Sequence, residues 1–221
     1  MRVGVICSAG GSPALEAAAI CRGVEFFFIT DRHCGTEVTC EKRSIPFQRV
    51  EAPSSSEFSS RVSDLLSSKR CDLVLMLFSR VVTQPLLTGQ RLLNVHPSLL
   101  PAFPGLGSLA KAHKFGVKYF GATLHHATAE VDAGAIIAQA CQVVPHGTPI
   151  DTLNHLSFLH RTALILLALD LAEAGQLCWE DGTPTLGGLL SWHDQLNPML
   201  TNNHYIEALR RLQKHGPSFL R

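Results

Sequence analysis

Short apolar runs alternate with amphipathic stretches through the first hundred positions of the chain. The apolar runs are nearly continuous, which is typical of strands covered on both faces of a parallel sheet. They occupy residues 2–7, 24–30, 47–50, 72–77 and 92–96. The intervening segments predict helices over 13–22 and 56–69 and a short helix around 85–88. This alternation predicts an α/β fold with a doubly wound, Rossmann-like, mostly parallel sheet and helices on both faces.

The second half of the chain has a different pattern. Two long strand-like segments, 119–128 and 135–144, flank a short turn and predict an antiparallel hairpin added to the sheet. Residues 106–115 predict a helix that ends at Gly116, and a long helix begins at Thr148 as N-cap with Pro149 as its first helical residue and ends at Gly175.

Beyond Gly175, the pattern predicts irregular chain over 176–200 with a short strand at 177–179, followed by an amphipathic helix over 203–215. We therefore predict a main domain over 1–175. A C-terminal extension over 176–221 carries the amphipathic helix, which we expect to pack on the main domain.

The strand 92–96 carries the first candidate chemistry. Asn94 and His96 are two residues apart, so they project from the same face near the carboxyl end of a strand, where open α/β sheets bind ligands. An amide N–H and an imidazole that can carry a proton near neutral pH could together stabilise a developing oxyanion. The alternative is that both residues only form turns and caps.

A second candidate is the turn after the first strand, from Ser8 to Pro13. It contains Gly10 and Gly11, and Ser12 is a suitable N-cap for the helix that follows. Free backbone N–H groups and the helix dipole make such a turn a ready anion site. The spacing is not GxGxxG, so a dinucleotide site is not indicated, and a tight turn without function is the alternative.

The turn of the hairpin, residues 129–134, holds the carboxylates Glu130 and Asp132. Thr123 and His125 share one face of the strand before it. Asp in a turn is commonly a turn former, and an isolated His on a strand is more often structural than catalytic.

The composition indicates which partners and which cellular setting to expect, but not which reaction the protein catalyses. Apolar residues make up 46% of 221, and 19 Lys and Arg balance 18 Asp and Glu, so charge gives no reason to expect a nucleic acid or a membrane surface as partner. The 7 cysteines form no CxxC pair and no zinc-ligand spacing, and no signal peptide precedes the first strand, which predicts a reducing, cytoplasmic setting. The most apolar segment, 163–169, is too short to span a bilayer.

Several of these pieces together resemble one family, the folate-dependent formyltransferases. They are Asn94-Val95-His96-Pro97-Ser98-Leu99-Leu100-Pro101, then Pro104-Gly105, Gly121-Ala122-Thr123 with His125, and Val131-Asp132-Ala133-Gly134. The resemblance covers 1–175. It is closest to the glycinamide ribonucleotide formyltransferases and includes features similar to formyltetrahydrofolate deformylase.

The resemblance implies a formyl donor, 10-formyltetrahydrofolate, and no metal. It implies that Asn94 donates a hydrogen bond to the formyl oxygen, that His96 stabilises this oxygen or moves a proton, and that Asp132 orients His96 or a water and takes the proton of the amine. Implied folate contacts are Arg80, Val81, Val82, Leu92, Ala127 and Glu130; implied acceptor contacts are Gly10, Gly11, Ser12, Pro97 and Gly105; Thr123 and His125 would support the catalytic residues.

The acceptor end departs from the family pattern. Pro13 stands where Asn is usual and has no N–H, and His160-Arg161 stand near the position of a Glu that binds ribose hydroxyls. We expect the acceptor to be phosphoribosylglycinamide or a related small amine. Hydrolysis of the donor and folate binding without catalysis remain alternatives, and a homodimer is left open.

Overall fold

A seven-stranded sheet forms the centre of the computed structural model, which describes residues 1–186 and 199–215. Its strands are β1 (Arg2–Cys7), β2 (Glu25–Thr30), β3 (Phe47–Arg49), β4 (Leu73–Leu77), β5 (Leu92–His96), β6 (Tyr119–His126) and β7 (Ile136–Val143). The strand order is β3-β2-β1-β4-β5-β6-β7. The five strands β1 to β5 are parallel to one another. β6 runs antiparallel to β5, and β7 runs antiparallel to β6. The predicted doubly wound sheet with an added antiparallel hairpin is confirmed.

Helices cover both faces of this sheet. They are α1 (Ser12–Ile20), α2 (Gly35–Arg43), α3 (Ser55–Ser68), α4 (Leu86–Gly89), α5 (Ser108–Phe115), α6 (Ile150–Glu173) and α7 (Asn203–His215). Alternate residues of one strand reach opposite faces: Val5 belongs to the core formed with α1 and α6, and Ile6 to the core formed with α3. This explains why β1 reads as continuously apolar.

Helix α6 is long and apolar enough to cross a membrane by length and composition alone. In the structure it is an interior helix: it packs on α1 and β6, and 67% of its apolar window is buried. The apolar length of α6 is therefore explained by its position in the core.

Two predicted helix caps are wrong. Gly11, not Ser12, is the N-cap of α1, no side chain caps this end, and Ser12 is already helical. Pro149, not Thr148, is the N-cap of α6, because the Thr148 hydroxyl donates instead to the Pro145 carbonyl at 2.7 Å. Proline is favoured at the first helical position. Pro13 is instead the second helical residue of α1, and Pro149 directly precedes the first helical residue of α6.

Two elements are absent from the sequence prediction: helix α2, which follows the turn at 31–34, and strand β9 (Thr183–Leu186). The predicted short strand at 177–179 is confirmed as β8 (Leu177–Glu180), which pairs with β9 in a small antiparallel hairpin. Part of the predicted irregular stretch, 187–198, lies outside the described residues.

Helix α7 packs on the sheet domain. Its Tyr205 and Leu212 are buried, and Asp170 of α6 accepts hydrogen bonds from the backbone N–H groups of Thr201 and Asn202 at 2.5 and 3.1 Å. The segment before α7 is thus fixed to the last turn of the core helix α6.

Candidate functional site

A cavity of about 530 Å³ lies at the carboxyl ends of the central strands. β1 and β4 are neighbours here, and the chain leaves them towards opposite edges of the sheet, which makes this the topological switch point of the fold. The loops after β1, β4 and β5 and the turn between β6 and β7 line the cavity. The site therefore lies where α/β sheets of this kind bind ligands.

Asn94 and His96 both line this cavity from β5. The antiparallel register pairs Asn94 with His125 and His96 with Thr123 on β6. Asn94 Nδ2 lies 3.0 Å from His125 Nε2, and His125 Nδ1 lies 2.8 Å from the His126 carbonyl oxygen. Since that carbonyl accepts from Nδ1–H, Nε2 of a neutral His125 accepts from the Asn94 amide and fixes its orientation.

Asp132 reaches the same point from the β6–β7 turn. Its backbone is left-handed, with φ of 56°, a conformation that Asp tolerates better than most residues. Its Oδ2 accepts from the Gly105 N–H at 2.7 Å and lies 3.2 Å from His96 Nδ1, while its Oδ1 lies 3.3 Å from Asn94 Nδ2. One carboxylate thus joins the two strands and the loop after β5.

The environment of Asp132 keeps it ionised. Burial alone would raise its pKa, but the nearby His125, the hydrogen bond from the Gly105 N–H and the nearby His96 lower the pKa to about 2. A carboxylate with so low a pKa is a weak base. It is better suited to stabilise positive charge than to remove a proton permanently.

His96 experiences opposing influences. Burial lowers its pKa below the usual 6.5, whereas the charge on Asp132 and the Phe103 carbonyl favour the protonated ring. Both ring nitrogens face oxygen atoms, Nε2 at 3.0 Å from Phe103 O and Nδ1 at 3.2 Å from Asp132 Oδ2. A ring that gains a proton here can donate to both of them.

Thr123 holds the loop after β5 rather than a ligand. It is fully buried, its hydroxyl donates to the Ser98 carbonyl at 2.7 Å, and it accepts from the Leu100 N–H at 3.0 Å. Gln139 on β7 donates to the Leu100 carbonyl at 2.8 Å. These contacts fix the loop that presents Phe103 and Gly105 to His96 and Asp132.

The folate contacts implied by the sequence are divided by the structure. Arg80, Val81, Val82 and Ala127 line the cavity. Leu92 and Glu130 do not: Leu92 is completely buried under α3 and α4, and the Glu130 side chain is exposed on the turn. The side chains of both residues therefore lie outside the lining of this cavity, because a strand side chain facing the helix layer cannot also face the cavity and the Glu130 side chain faces solvent. Their assignment as folate contacts stays a prediction.

The acceptor contacts are divided in the same way. Gly10, Pro97 and Gly105 line the cavity, whereas Gly11 and Ser12 do not. A Cβ on Gly11 would lie 2.6 Å from Thr36 Oγ1, so this glycine is required by packing against α2. Of the two glycines of the turn, Gly10 is the one that lines the cavity.

Sequence reasoning missed two cations of the cavity, Arg32 and Arg161. In the sequence, Arg161 stands out only as a departure from the family pattern. Its signal was a charged residue next to the apolar stripe of α6, in a stretch where the neighbouring positions are buried. Within 1–186 and 199–215, no group of three or more His, Cys, Asp or Glu side chains is arranged to hold a metal.

The fold and the site define an α/β protein whose cavity at the switch point presents an amide, an imidazole and a carboxylate. A sequence profile described as formyl transferase matches residues 23–167, and the chain belongs to this family.

Known proteins of three kinds are similar to it. A phosphoribosylglycinamide formyltransferase of Mycobacterium tuberculosis is 33% identical over 152 residues, 66% of this chain and 71% of that protein. A formyltetrahydrofolate deformylase of Synechocystis is 29% identical over 133 residues, 58% of this chain and 47% of that protein. The trifunctional purine biosynthetic protein adenosine-3 of Gallus gallus is 34% identical over 158 residues, and the match spans 63% of this chain but only 15% of that protein.

A solved structure agrees with these relatives. The glycinamide ribonucleotide transformylase 1 of Symbiobacterium toebii superposes with a TM-score of 0.77 at 30% identity, over 85% of this chain and 94% of that one. The similarity therefore extends through nearly the whole of that enzyme.

Proposed function

We propose that this protein transfers the formyl group of 10-formyltetrahydrofolate to the amine of a small acceptor, phosphoribosylglycinamide or a related amine. The observation that carries the proposal is the convergence of Asn94, His96 and Asp132 at one wall of the switch-point cavity. The family membership and the names of the relatives support the same chemistry.

The reaction requires two opposite charges to be stabilised together. The neutral amine nitrogen bonds to the formyl carbon, the carbonyl electron pair moves to oxygen, and an oxyanion and an ammonium form. The electron pair of the oxyanion then re-forms the carbonyl as the C–N bond to the folate breaks. The electron pair of that bond goes to the folate nitrogen, which takes a proton. The net proton transfer is from the amine to the folate.

Asn94 is placed to donate to the oxyanion. One of its amide hydrogens is directed at His125 Nε2 at 3.0 Å, and the other makes a longer contact of 3.3 Å with Asp132. The longer contact is the weaker one, so its hydrogen can turn to the formyl oxygen as charge develops there. His125 positions the amide and does not itself meet the reacting atoms.

His96 and Asp132 divide the remaining work. Asp132 stays negative and stabilises the ammonium and any proton gained by His96. His96, with oxygen atoms facing both ring nitrogens, takes up the proton and passes it to the leaving nitrogen. The hydrophobic wall after β4, with Phe78, Val81 and Val82, provides an apolar surface for the flat ring of the donor.

The proposal also places the activity in the cytoplasm with small molecules as its partners and no nucleic acid. All 7 cysteines are free, which is consistent with a reducing compartment.

The test is turnover of 10-formyltetrahydrofolate with a panel of amines that includes phosphoribosylglycinamide. We expect tetrahydrofolate to form only with an amine and Asn94→Ala to lower kcat by roughly 10²–10³-fold, the usual effect of losing one oxyanion donor. Asn154→Ala, on the exposed side of α6, is the matched control and should retain full activity.

Two other results would replace the proposal. Release of formate without any amine, and no transfer to any amine, would make the protein a deformylase. Folate binding that Asp132→Asn leaves intact, with no turnover by the unmodified protein, would make it a binding protein.

A further inference from the structure

Arg161 introduces an uncompensated positive charge into the cavity. The cavity is lined by three arginines, Arg32, Arg80 and Arg161, and by one carboxylate, Asp132. Arg32 makes a two-pronged ion pair with Asp31 at 2.7 and 3.0 Å, and Arg80 lies 3.8 Å from the same carboxylate. In the part of the chain that the structure describes, Arg161 has no ion pair.

The position of Arg161 is set by α6. Its Nε donates to the Ser157 carbonyl one helical turn earlier at 3.3 Å, which leaves the two terminal nitrogens for other partners. A Cβ on Gly10 would lie 3.9 Å from Arg161 Nη1, so the guanidinium reaches the turn after β1. Arg161 and His96 line the same cavity, so the guanidinium shares this space with the proposed reacting residues.

The turn beside Arg161 also offers hydrogen-bond donors. No described residue accepts a hydrogen bond from the backbone N–H groups of Gly10 and Gly11, and the N-terminus of α1 begins at the next residue. Pro13 removes one N–H that this end of α1 would otherwise present. Arg161 brings side-chain donors to the same place.

A partly buried cation without a counterion destabilises the folded protein. Burial lowers the pKa of Arg161 to about 10, so it is still protonated at neutral pH. A charge kept under these conditions suits a ligand that supplies the opposite charge, and a planar guanidinium fits the two oxygens of a carboxylate or a phosphate.

We propose that Arg161 binds an anionic group of the acceptor, a carboxylate or a phosphate, beside the turn after β1. The acceptor is thereby restricted to amines that carry such a group within reach of the nitrogen to be formylated. This inference rests on the proposed formyl transfer for its substrate, although the anion site itself can be measured without it.

The first measurement is anion binding. It is monitored as the change in Tm when the concentration of inorganic phosphate or acetate is increased. We expect at least one of these anions to raise the Tm of the unmodified protein, and Arg161→Gln to weaken its apparent affinity by about 10- to 100-fold, as for the loss of a hydrogen bond to a charged group. Arg161→Lys, which keeps the charge but not the planar fork, should lie between them. Arg211→Gln, on the exposed face of α7, is the control for general ionic effects.

The second measurement is formyl transfer to three amines: glycine, aminoethyl phosphate and the uncharged glycinamide. We expect the ratio of kcat/KM for an anionic amine to that for glycinamide to fall by about 10- to 100-fold in Arg161→Gln. The anion whose amine loses most identifies the group as carboxylate or phosphate.

The outcomes separate the two proposals. Equal anion affinity in the unmodified protein and in Arg161→Gln overturns the anion site, whatever the transfer assay shows. Anion binding that depends on Arg161, without transfer to any amine, supports the anion site and overturns formyl transfer. If Arg161→Gln does not fold, the same comparisons are made with Arg161→Lys. The proposal is then overturned if Arg161→Lys binds both anions as tightly as the unmodified protein and leaves the kcat/KM ratio unchanged.

Discussion

Asn94, His96 and Asp132 show what a short motif can predict at the scale of single residues. The two-residue spacing in one strand was enough to place Asn94 and His96 on a common face. The position of Asp132 next to them depended on the resemblance, because nothing local indicates that a turn 36 residues after His96 folds back to Gly105. The unpaired state of Arg161 was not predictable, because it depends on which carboxylates surround it in three dimensions.

Removing the charge of Asp132 should change the titration of His96. The negative carboxylate 3.2 Å from Nδ1 favours the imidazolium, so Asp132→Asn should lower the pKa of His96 further below 6.5. The pKa is followed by NMR from the imidazole carbon-bound protons across a pH series. Glu207→Gln, an exposed change of equal charge, should leave it unchanged; an equal or higher pKa in Asp132→Asn would contradict the assigned coupling.

At the scale of elements, the sequence predicted strands better than it predicted α2. The strands are buried on both faces and therefore have a strong apolar signal. Helix α2 is mostly polar, and its buried positions are Thr36, Glu37 and Cys40, so no apolar stripe marks it. It is held instead by the carboxylate of Glu37, which binds Thr30 of β2 and Arg49 of β3.

This carboxylate should make folding sensitive to acid. The hydrogen bond from Arg49 lowers the pKa of Glu37 most, and contacts with Thr30 and His33 lower it further. Burial acts in the opposite direction, and the resulting pKa is about 2 instead of 4.5. A lowered pKa stabilises the fold above pH 4.5, and this contribution is lost as the pH falls from 4.5 towards 2. Glu37→Gln should therefore have a lower Tm than the unmodified protein at pH 7, but its Tm should fall less between pH 5 and about pH 3. Glu57→Gln, which removes the carboxylate of a surface pair with Arg61, is the control and should show the same pH dependence of Tm as the unmodified protein.

The turn between β6 and β7 depends on one glycine. A Cβ on Gly134 would lie 2.0 Å from the His126 carbonyl oxygen, so Gly134→Ala must displace the turn that carries Asp132. Because a displacement of about 1 Å can reduce catalysis by roughly 10²-fold, we expect kcat to fall while the far-UV circular dichroism is retained. Gly35→Ala, where the added Cβ meets nothing within 4 Å, is the control; an unchanged kcat in Gly134→Ala would show that the turn adapts without moving Asp132.

At the scale of the whole molecule, Asp170 connects the C-terminal helix to the core. Its carboxylate accepts from Thr201 and Asn202, and it is nearly inaccessible to solvent. Asp170→Ala should lower stability by about 1–3 kcal/mol, because it leaves these donors without their partner. We expect a lower Tm and faster amide exchange in α7, whereas Asp64→Ala, on the exposed side of α3, should change neither. Unchanged exchange in α7 would mean that apolar packing alone fixes it.

The cavity is lined by two groups of residues that differ in how far they can be substituted without disturbing the proposed catalytic hydrogen bonds. Asn94, His96, His125 and Asp132 lie on the paired strands β5 and β6 and on the turn after β6. Gly10, Arg32 and Arg161 come from other helices and loops. A substitution at the second group can alter what is recognised without disturbing the hydrogen bonds of the first. An ancestor of this architecture could thus have acquired new acceptors by single exchanges, such as the arginine on α6, while its reaction stayed the same.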